Sequence, residues 1–147
     1  MKFRILAAAA ALAALGAGAV AAADEPQVVR QDMMKKVGGA MGALSGIAKG
    51  EKPYDAEVVK ASLTTLSEVG KAFPDQFPPG SEAGHETEAS PKIWEATDDF
   101  KAKSAKLAAD AEAVLAGLPA DQAAVGAALG TIGPNCGGCH EVYRLKK

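Results

Sequence analysis

The sequence predicts an all-α fold in which four helices form an antiparallel up-down-up-down bundle. Two observations support this prediction. After residue 25, apolar residues recur at steps of three and four in four long stretches, and no stretch alternates as a half-buried strand would. Segments containing proline and glycine separate these stretches. Four helices of about 17 to 27 residues would each be roughly 25–40 Å long, which suits a four-helix bundle.

The first 23 residues have the features of a cleaved secretory signal peptide. Lys2 and Arg4 precede an apolar run over residues 5–20, which ends in three alanines before Asp24. The run is rich in alanine and short for a membrane anchor, although an uncleaved anchor is the alternative. We therefore expect residues 24–147 to form one exported, periplasmic domain without stable membrane insertion.

The charge of this exported part argues against two classes of partner. Of the 16 basic and 18 acidic residues, Lys2 and Arg4 belong to the signal peptide, which leaves 14 basic residues and a net charge of −4. No basic run is long enough to bind nucleic acid or lipid headgroups. We therefore expect no nucleic-acid partner.

The first helix is predicted from about Pro26 to Lys49 and the second from about Asp55 to Ala72. The first helix carries one apolar stripe, formed by Met34, Val37, Met41, Leu44 and Ala48. Its four glycines are unfavourable inside a helix and suggest that a flat ring or another helix approaches its backbone. The second helix has Asp55 as its predicted N-cap, and its apolar stripe is formed by Val59, Leu63, Leu66 and Val69. It ends at Phe73-Pro74, and residues 74–90 form a long connection without periodicity.

The third helix is predicted to begin at Ser90 and Pro91, an N-cap followed by proline at the first helical position, and to end at a turn over residues 117–120. Its predicted buried side includes Trp94, Phe100 and Leu118. The fourth is predicted from about Asp121 to Lys146. Its apolar stripe leads towards the C-terminus through Ile132 and Tyr143. Pro134 lies inside this helix and predicts a kink between residues 130 and 134, because proline removes one backbone hydrogen bond.

The fourth helix contains the most informative stretch of the chain, Cys136-Gly137-Gly138-Cys139-His140. These are the only two cysteines, and C-x-x-C-H is the attachment motif of c-type haem. Positions three and four apart share one face of a helix. Two thiols can therefore bond the haem vinyl groups while the adjacent imidazole binds the iron. The sequence predicts one covalently attached haem c, with His140 as an axial ligand, in the bundle core near the last helix.

The C-x-x-C-H residues have three other interpretations. A thioredoxin-like C-x-x-C lies where a strand meets a helix, and no strand is predicted here. A zinc site needs about four ligands, and the only other histidine, His85, falls in a predicted loop. A structural disulfide across two residues would close almost no loop. A thiol redox protein without haem remains the weakest alternative.

The chain resembles the cytochrome c′ family, the class II c-type cytochromes, over essentially the whole predicted mature domain. The resemblance rests on five segments taken together with their order and spacing: residues 30–34, 50–55, 77–81, 91–94 and 136–144. It implies a four-helix bundle with the haem motif near the C-terminus. Family members are monomers or antiparallel homodimers through the first two helices.

The resemblance also implies roles for three further residues. Met34 occupies the distal position, where low-spin relatives have a methionine as the sixth iron ligand. Arg30 and Arg144 match basic residues near the haem propionates. Because Arg144 follows His140 by four residues, the predicted helix would place both on one face, and a cation in the last turn of a helix is the alternative explanation.

Two functions follow from these predictions. The first is an exported electron carrier, not an enzyme, that exchanges single electrons with transient redox protein partners. The second is a five-coordinate cytochrome c′ that binds NO or CO on an open distal face, with Met34 only lining the pocket. The choice between them depends on whether Met34 binds the iron.

Overall fold

The computed structural model describes residues 25–146, and the predicted signal peptide lies outside this range. Four long helices confirm the predicted bundle: α1 (Pro26–Ala48), α2 (Ala56–Ala72), α4 (Thr97–Ala116) and α5 (Gln122–Tyr143). A short helix, α3 (Lys92–Glu95), precedes α4, and a 3₁₀ turn (Phe73–Gln76) follows α2. Within the described residues, no helix is long and apolar enough to cross a membrane.

The four long helices contact one another in the order α1, α2, α4, α5 and back to α1. At one end of the bundle the C-terminal half of α1 packs against the N-terminal halves of α2 and α5. The side chains there are aliphatic and almost fully buried: Leu44, Ile47, Val59, Leu63 and Val125. We call this the closed end. Tyr54 and Gln122 tie its turns together by donating hydrogen bonds to the Pro119 and Ala48 carbonyls (2.8 and 3.3 Å).

Helices α2 and α4 approach each other closely at Gly70. A Cβ on Gly70 would lie 2.9 Å from the Ala108 backbone nitrogen, which is shorter than real side-chain contacts allow. The Ser104 hydroxyl also donates a hydrogen bond to the Gly70 carbonyl (2.7 Å). Glycine is therefore required where these two helices cross.

The predicted third helix is wrong in two respects, the first of which is that the chain breaks at Ala96. This residue has φ −128° and ψ 51°, outside the helical region, so α3 and α4 are separate helices. The Ser90 hydroxyl still accepts a hydrogen bond from the Lys92 backbone N–H (3.3 Å), as expected of a residue at a helix start. At the other end of this segment Leu118 is 37% exposed, so its predicted burial is also wrong.

The last helix ends earlier than predicted, at Tyr143 and not at Lys146. Arg144 has an extended backbone, and an isolated antiparallel bridge pairs it with Ala89. The chain leaves the helix because it pairs with the α2–α3 connection, a partner distant in sequence. The helix is continuous through Pro134, and the kink there stays a prediction.

The glycines of α1 do not make the close contacts that their number suggested. Among the described residues, a Cβ on Gly38, Gly39 or Gly42 would meet nothing within 4 Å, and one on Gly46 would meet only the flexible Lys52 side chain. Protein atoms in this structure therefore do not explain these glycines.

Candidate haem site

A cavity of about 870 Å³ occupies the end of the bundle opposite the closed end. Its walls come from the N-terminal halves of α1 and α4, the C-terminal ends of α2 and α5, and the connection between α2 and α3. We call this the cavity end. In an antiparallel bundle these helix ends lie together, so the up-down-up-down arrangement itself creates the site. Its volume is in the upper range for cofactor pockets.

The C-x-x-C-H motif lies on the last two turns of α5 and faces this cavity. Cys136, Cys139 and His140 all line it, as their helical spacing predicts. Both cysteines are half-buried and free. His140 lies at the exposed edge of the cavity wall.

The electrostatic environment argues against a thiol redox function. Burial raises the pKa of both the Cys136 and the Cys139 thiols. A reactive thiol needs the opposite, a pKa lowered by nearby positive charge. Burial, followed by the Arg144 charge, lowers the pKa of His140 and so favours the neutral imidazole that binds metals. Within residues 25–146, no group of three or more His, Cys, Asp or Glu side chains converges as a metal site, which leaves the zinc alternative without support.

Met34 lies on the α1 wall of the same cavity, together with Met41 two turns further along the stripe. Both methionines are half-buried. Met33 packs against the aliphatic core and is not part of the cavity wall. The structure therefore brings the predicted distal residue and the predicted proximal histidine to one cavity.

Arg30 is the most deeply buried charged residue in the described part of the chain, and it belongs to this site. Only 5% of its surface is exposed. Its Nη2 donates to the Ser81 carbonyl (2.6 Å) and its Nε to the Pro26 carbonyl (3.2 Å), and its guanidinium lies 4.5 Å from the centre of the Phe77 ring. Its Nη1 is buried and has no hydrogen-bond partner among the described residues. Burial lowers the pKa of Arg30, while the nearby Glu82 acts in the opposite direction. A buried donor of this kind needs an acceptor, and the cavity is where one would lie.

Arg144, the second predicted basic residue, lies at the cavity rim and already has a partner. Its Nε donates to Glu88 Oε2 (2.6 Å), and its Nη2 forms an ion pair with the same oxygen (2.5 Å). Arg144 caps the end of α5, and its backbone N–H donates to the His140 carbonyl (3.2 Å), so the two residues lie one turn apart and both line the cavity. A contact of Arg144 with a propionate stays a prediction.

Aromatic side chains form one layer of the cavity wall. Phe73, Phe77, Phe100 and Tyr143 line it, and neighbouring rings meet mostly edge to face with centroids 4.8–6.1 Å apart. Trp94 lies outside the wall, 5.7 Å from Phe77, in agreement with its predicted place among packing residues. The Tyr143 hydroxyl donates to Asp99 Oδ2 (2.6 Å), which raises the pKa of Tyr143 to about 12.

A family model described as cytochrome c′ matches residues 25–144. The chain belongs to the cytochrome c′ family. A cytochrome c-556 of Agrobacterium tumefaciens (strain II Chrys) is 65% identical over 118 residues, 80% of this chain and 95% of the relative. A cytochrome c-556 of Agrobacterium fabrum is 58% identical over 147 residues, 100% of this chain and 99% of the relative. The solved cytochrome c′ of Rhodopseudomonas palustris has a TM-score of 0.79 at 36% identity and covers 85% of this chain and 99% of its own.

Haem c is therefore the cofactor of this cytochrome, and the residues of the cavity fit it. Two free thiols and an imidazole at C-x-x-C-H spacing are the donor set that the motif requires. The unpartnered Nη1 of Arg30 is suited to an acidic group such as a propionate. The predicted cofactor and family are confirmed.

Two features of the site were not predicted. Gln27 is 3% exposed and lines the cavity, although a glutamine in the first turn of a helix is ordinarily solvated. Glu88 was also overlooked, because its partner Arg144 lies 56 residues away. If the apolar stripe of the first helix is extended two turns towards the N-terminus from Met34, it includes Arg30 and Gln27, at steps of four and three.

Proposed function

We propose that this cytochrome is an exported electron carrier that exchanges single electrons with transient redox protein partners and performs no substrate chemistry. Cys136 and Cys139 attach the haem, His140 binds the iron on one side and Met34 on the other. The observation that carries this proposal is that all four side chains open onto one cavity of about 870 Å³. Relatives that are up to 65% identical to this chain are named cytochrome c-556, which supports the same class of protein.

Bound haem supplies a one-electron couple, and the protein's own residues determine how that couple behaves. His140 and Met34 would provide ligands that are the same in both oxidation states, which limits reorganisation. A thioether ligand also favours a higher potential than a second imidazole would. The aromatic layer of Phe73, Phe77 and Phe100 excludes water from the inner wall. Arg30 would neutralise a propionate from inside the fold.

A second function, gas binding, is favoured by two observations. Solved relatives of similar fold carry the name cytochrome c′, and Met34 is only half-buried on the cavity wall. If Met34 lined the distal pocket without binding, the iron would be open to NO or CO.

The absorption spectrum of the oxidised and dithionite-reduced holoprotein, recorded before and after addition of CO, tests the proposal. An electron carrier with Met34 bound should give sharp, split α and β bands that CO does not change. A broad reduced spectrum that shifts at once with CO would contradict it and support the gas-binding function. Met34→Leu is the matched variant, since it removes the thioether and retains the apolar volume. It should convert the first type of spectrum into the second.

A further inference from the structure

The connection between α2 and α3, residues 77–91, is fastened both to the helix that carries Met34 and to the helix that carries His140. We call these residues the strap. We propose that the strap holds Met34 in position relative to His140, with Gln27 and Glu88 as positioning residues at its two attachments. This inference rests on the proposed function, because it concerns Met34 as an iron ligand.

The first attachment joins the strap to α1 through three polar side chains. Gln27 Nε2 donates to the carbonyls of Ser81 (3.1 Å) and Ala83 (2.6 Å), and Arg30 Nη2 donates to the same Ser81 carbonyl (2.6 Å). Gln31 Nε2 donates to the Glu86 carbonyl (2.8 Å). Arg30 and Gln31 precede Met34 by four and three residues, so this attachment lies one helical turn from the thioether.

The second attachment joins the strap to the end of α5. The backbone N–H of Ser90 donates to the Tyr143 carbonyl (3.0 Å), and that of Leu145 donates to the Glu88 carbonyl (2.8 Å). The Glu88 carboxylate accepts from Arg144 Nε (2.6 Å) beside these bonds. This attachment begins three residues after His140, again within one turn of the proposed ligand.

The hydrogen bonds of Gln27 indicate that a glutamine is needed at this position to bind the strap, and not only to fill space. Both hydrogens of its amide nitrogen are used by strap carbonyls, which leaves Oε1 buried without a donor among the described residues. An unpaired buried acceptor is unfavourable, so an apolar side chain would be the better choice if Gln27 only filled space. Gln27 is 3% exposed, which shields its two bonds from competing water.

Arg30 connects the strap to the haem pocket itself. One of its terminal nitrogens, Nη2, holds the Ser81 carbonyl, and its guanidinium packs 4.5 Å from the ring of Phe77, the first strap residue. The other terminal nitrogen, Nη1, is buried and available to an acidic group in the cavity. Movement of the strap would therefore disturb the same side chain that is suited to a propionate.

The consequence concerns the equilibrium between bound and released Met34. Helix α1 contacts α5 directly, and the strap adds a second connection between them at the level of the proposed ligands. Any interaction present only when Met34 is bound shifts the population towards that state. Loss of the strap's attachment should therefore increase the fraction of open iron, while the fold stays intact because the aliphatic core of the bundle contains no strap residue.

The test compares Gln27→Leu with Gln122→Leu in the holoprotein. Gln122 also ties a helix to a turn by one amide hydrogen bond, to the Ala48 carbonyl, but at the closed end. Two readouts are measured: the rate of CO association with the reduced protein, and amide hydrogen exchange at Ser90 and Leu145. Gln27→Leu should bind CO about tenfold faster than the wild type, as expected for loss of buried hydrogen bonds, and should exchange faster at both amides. Gln122→Leu should change neither.

The outcomes separate this inference from the proposed function. A wild-type spectrum of open iron overturns the proposed function, and the role of the strap with it, before any variant is made. If the wild type has six-coordinate iron, an unchanged CO rate in Gln27→Leu, or an equal increase in Gln122→Leu, overturns the strap alone. If Gln27→Leu fails to incorporate haem, Glu88→Gln weakens the other attachment and decides the question by the same two readouts.

Discussion

At the closed end, Leu44 and Ile47 from α1 pack on Val59 and Leu63 from α2 with 0–1% of their surface exposed. At the cavity end the same bundle surrounds about 870 Å³ with half-buried methionines and a layer of aromatic rings. The closed end is thus a core of protein atoms alone, whereas the cavity end is completed by haem c. The difference indicates that one half of the molecule folds by side-chain packing and the other depends on its cofactor.

The largest expected effect comes from preventing haem attachment. In the Cys136→Ala/Cys139→Ala double variant we expect the cavity end to lose fixed packing, because the remaining side chains cannot fill the space at native density. Amide exchange should be fast at Phe100 and Tyr143 and remain slow at Leu44 and Leu63. Cooperative, native-like thermal unfolding of this apo variant would contradict the comparison. Haem-loaded wild type, measured under the same conditions, is the control.

A smaller effect should distinguish the two ends within the holoprotein. Leu63→Ala at the closed end should lower the free energy of unfolding by about 2–5 kcal/mol, the usual cost of a cavity in a packed core. Leu63 has 0% of its surface exposed, whereas Leu107 at the cavity end is half-buried. Leu107→Ala should therefore cost less, and only this variant should alter the haem spectrum. Equal losses in denaturant titrations, or a changed spectrum in Leu63→Ala, would argue against separate ends.

The closed end could largely be predicted from the sequence because local signals define it. Apolar residues at steps of three and four identified Leu44, Val59 and Leu63, and these are buried. The predicted aspartate N-cap of α2 is also confirmed, since the Asp55 carboxylate accepts hydrogen bonds from the Glu57 and Val58 backbone N–H groups (2.9 and 3.2 Å). Both signals depend only on residues within one or two turns of each other.

The cavity end was predicted less completely because its contacts are distant in sequence. The motif spacing placed Cys136, Cys139 and His140 on one wall, but the partners of Arg30 and Arg144 lie 51 and 56 residues away. The break at Ala96 was missed even though Thr97, Asp98 and Asp99 form an ordinary helix start. The premature end of α5 follows from pairing of Arg144 with Ala89, which no local pattern indicates.

The smallest expected effect concerns a polar contact that fastens the cavity end, the hydrogen bond from Tyr143 to Asp99 (2.6 Å). At neutral pH, Tyr143→Phe should lower the free energy of unfolding by about 1 kcal/mol, the typical net value of such a bond. The bond raises the pKa of Tyr143 to about 12, above the ordinary value of about 10. The folded protein therefore holds this proton more tightly than the unfolded chain does. The stabilisation is fully present below about pH 10 and is lost as the pH rises through 12.

Denaturant titrations of wild type and Tyr143→Phe should differ at pH 7 and converge at alkaline pH, whereas a pH-independent difference would assign the effect to packing. Tyr54→Phe, which removes a tyrosine hydroxyl from the closed end, is the control at neutral pH and should cost less, because Tyr54 is 36% exposed and Tyr143 only 4%.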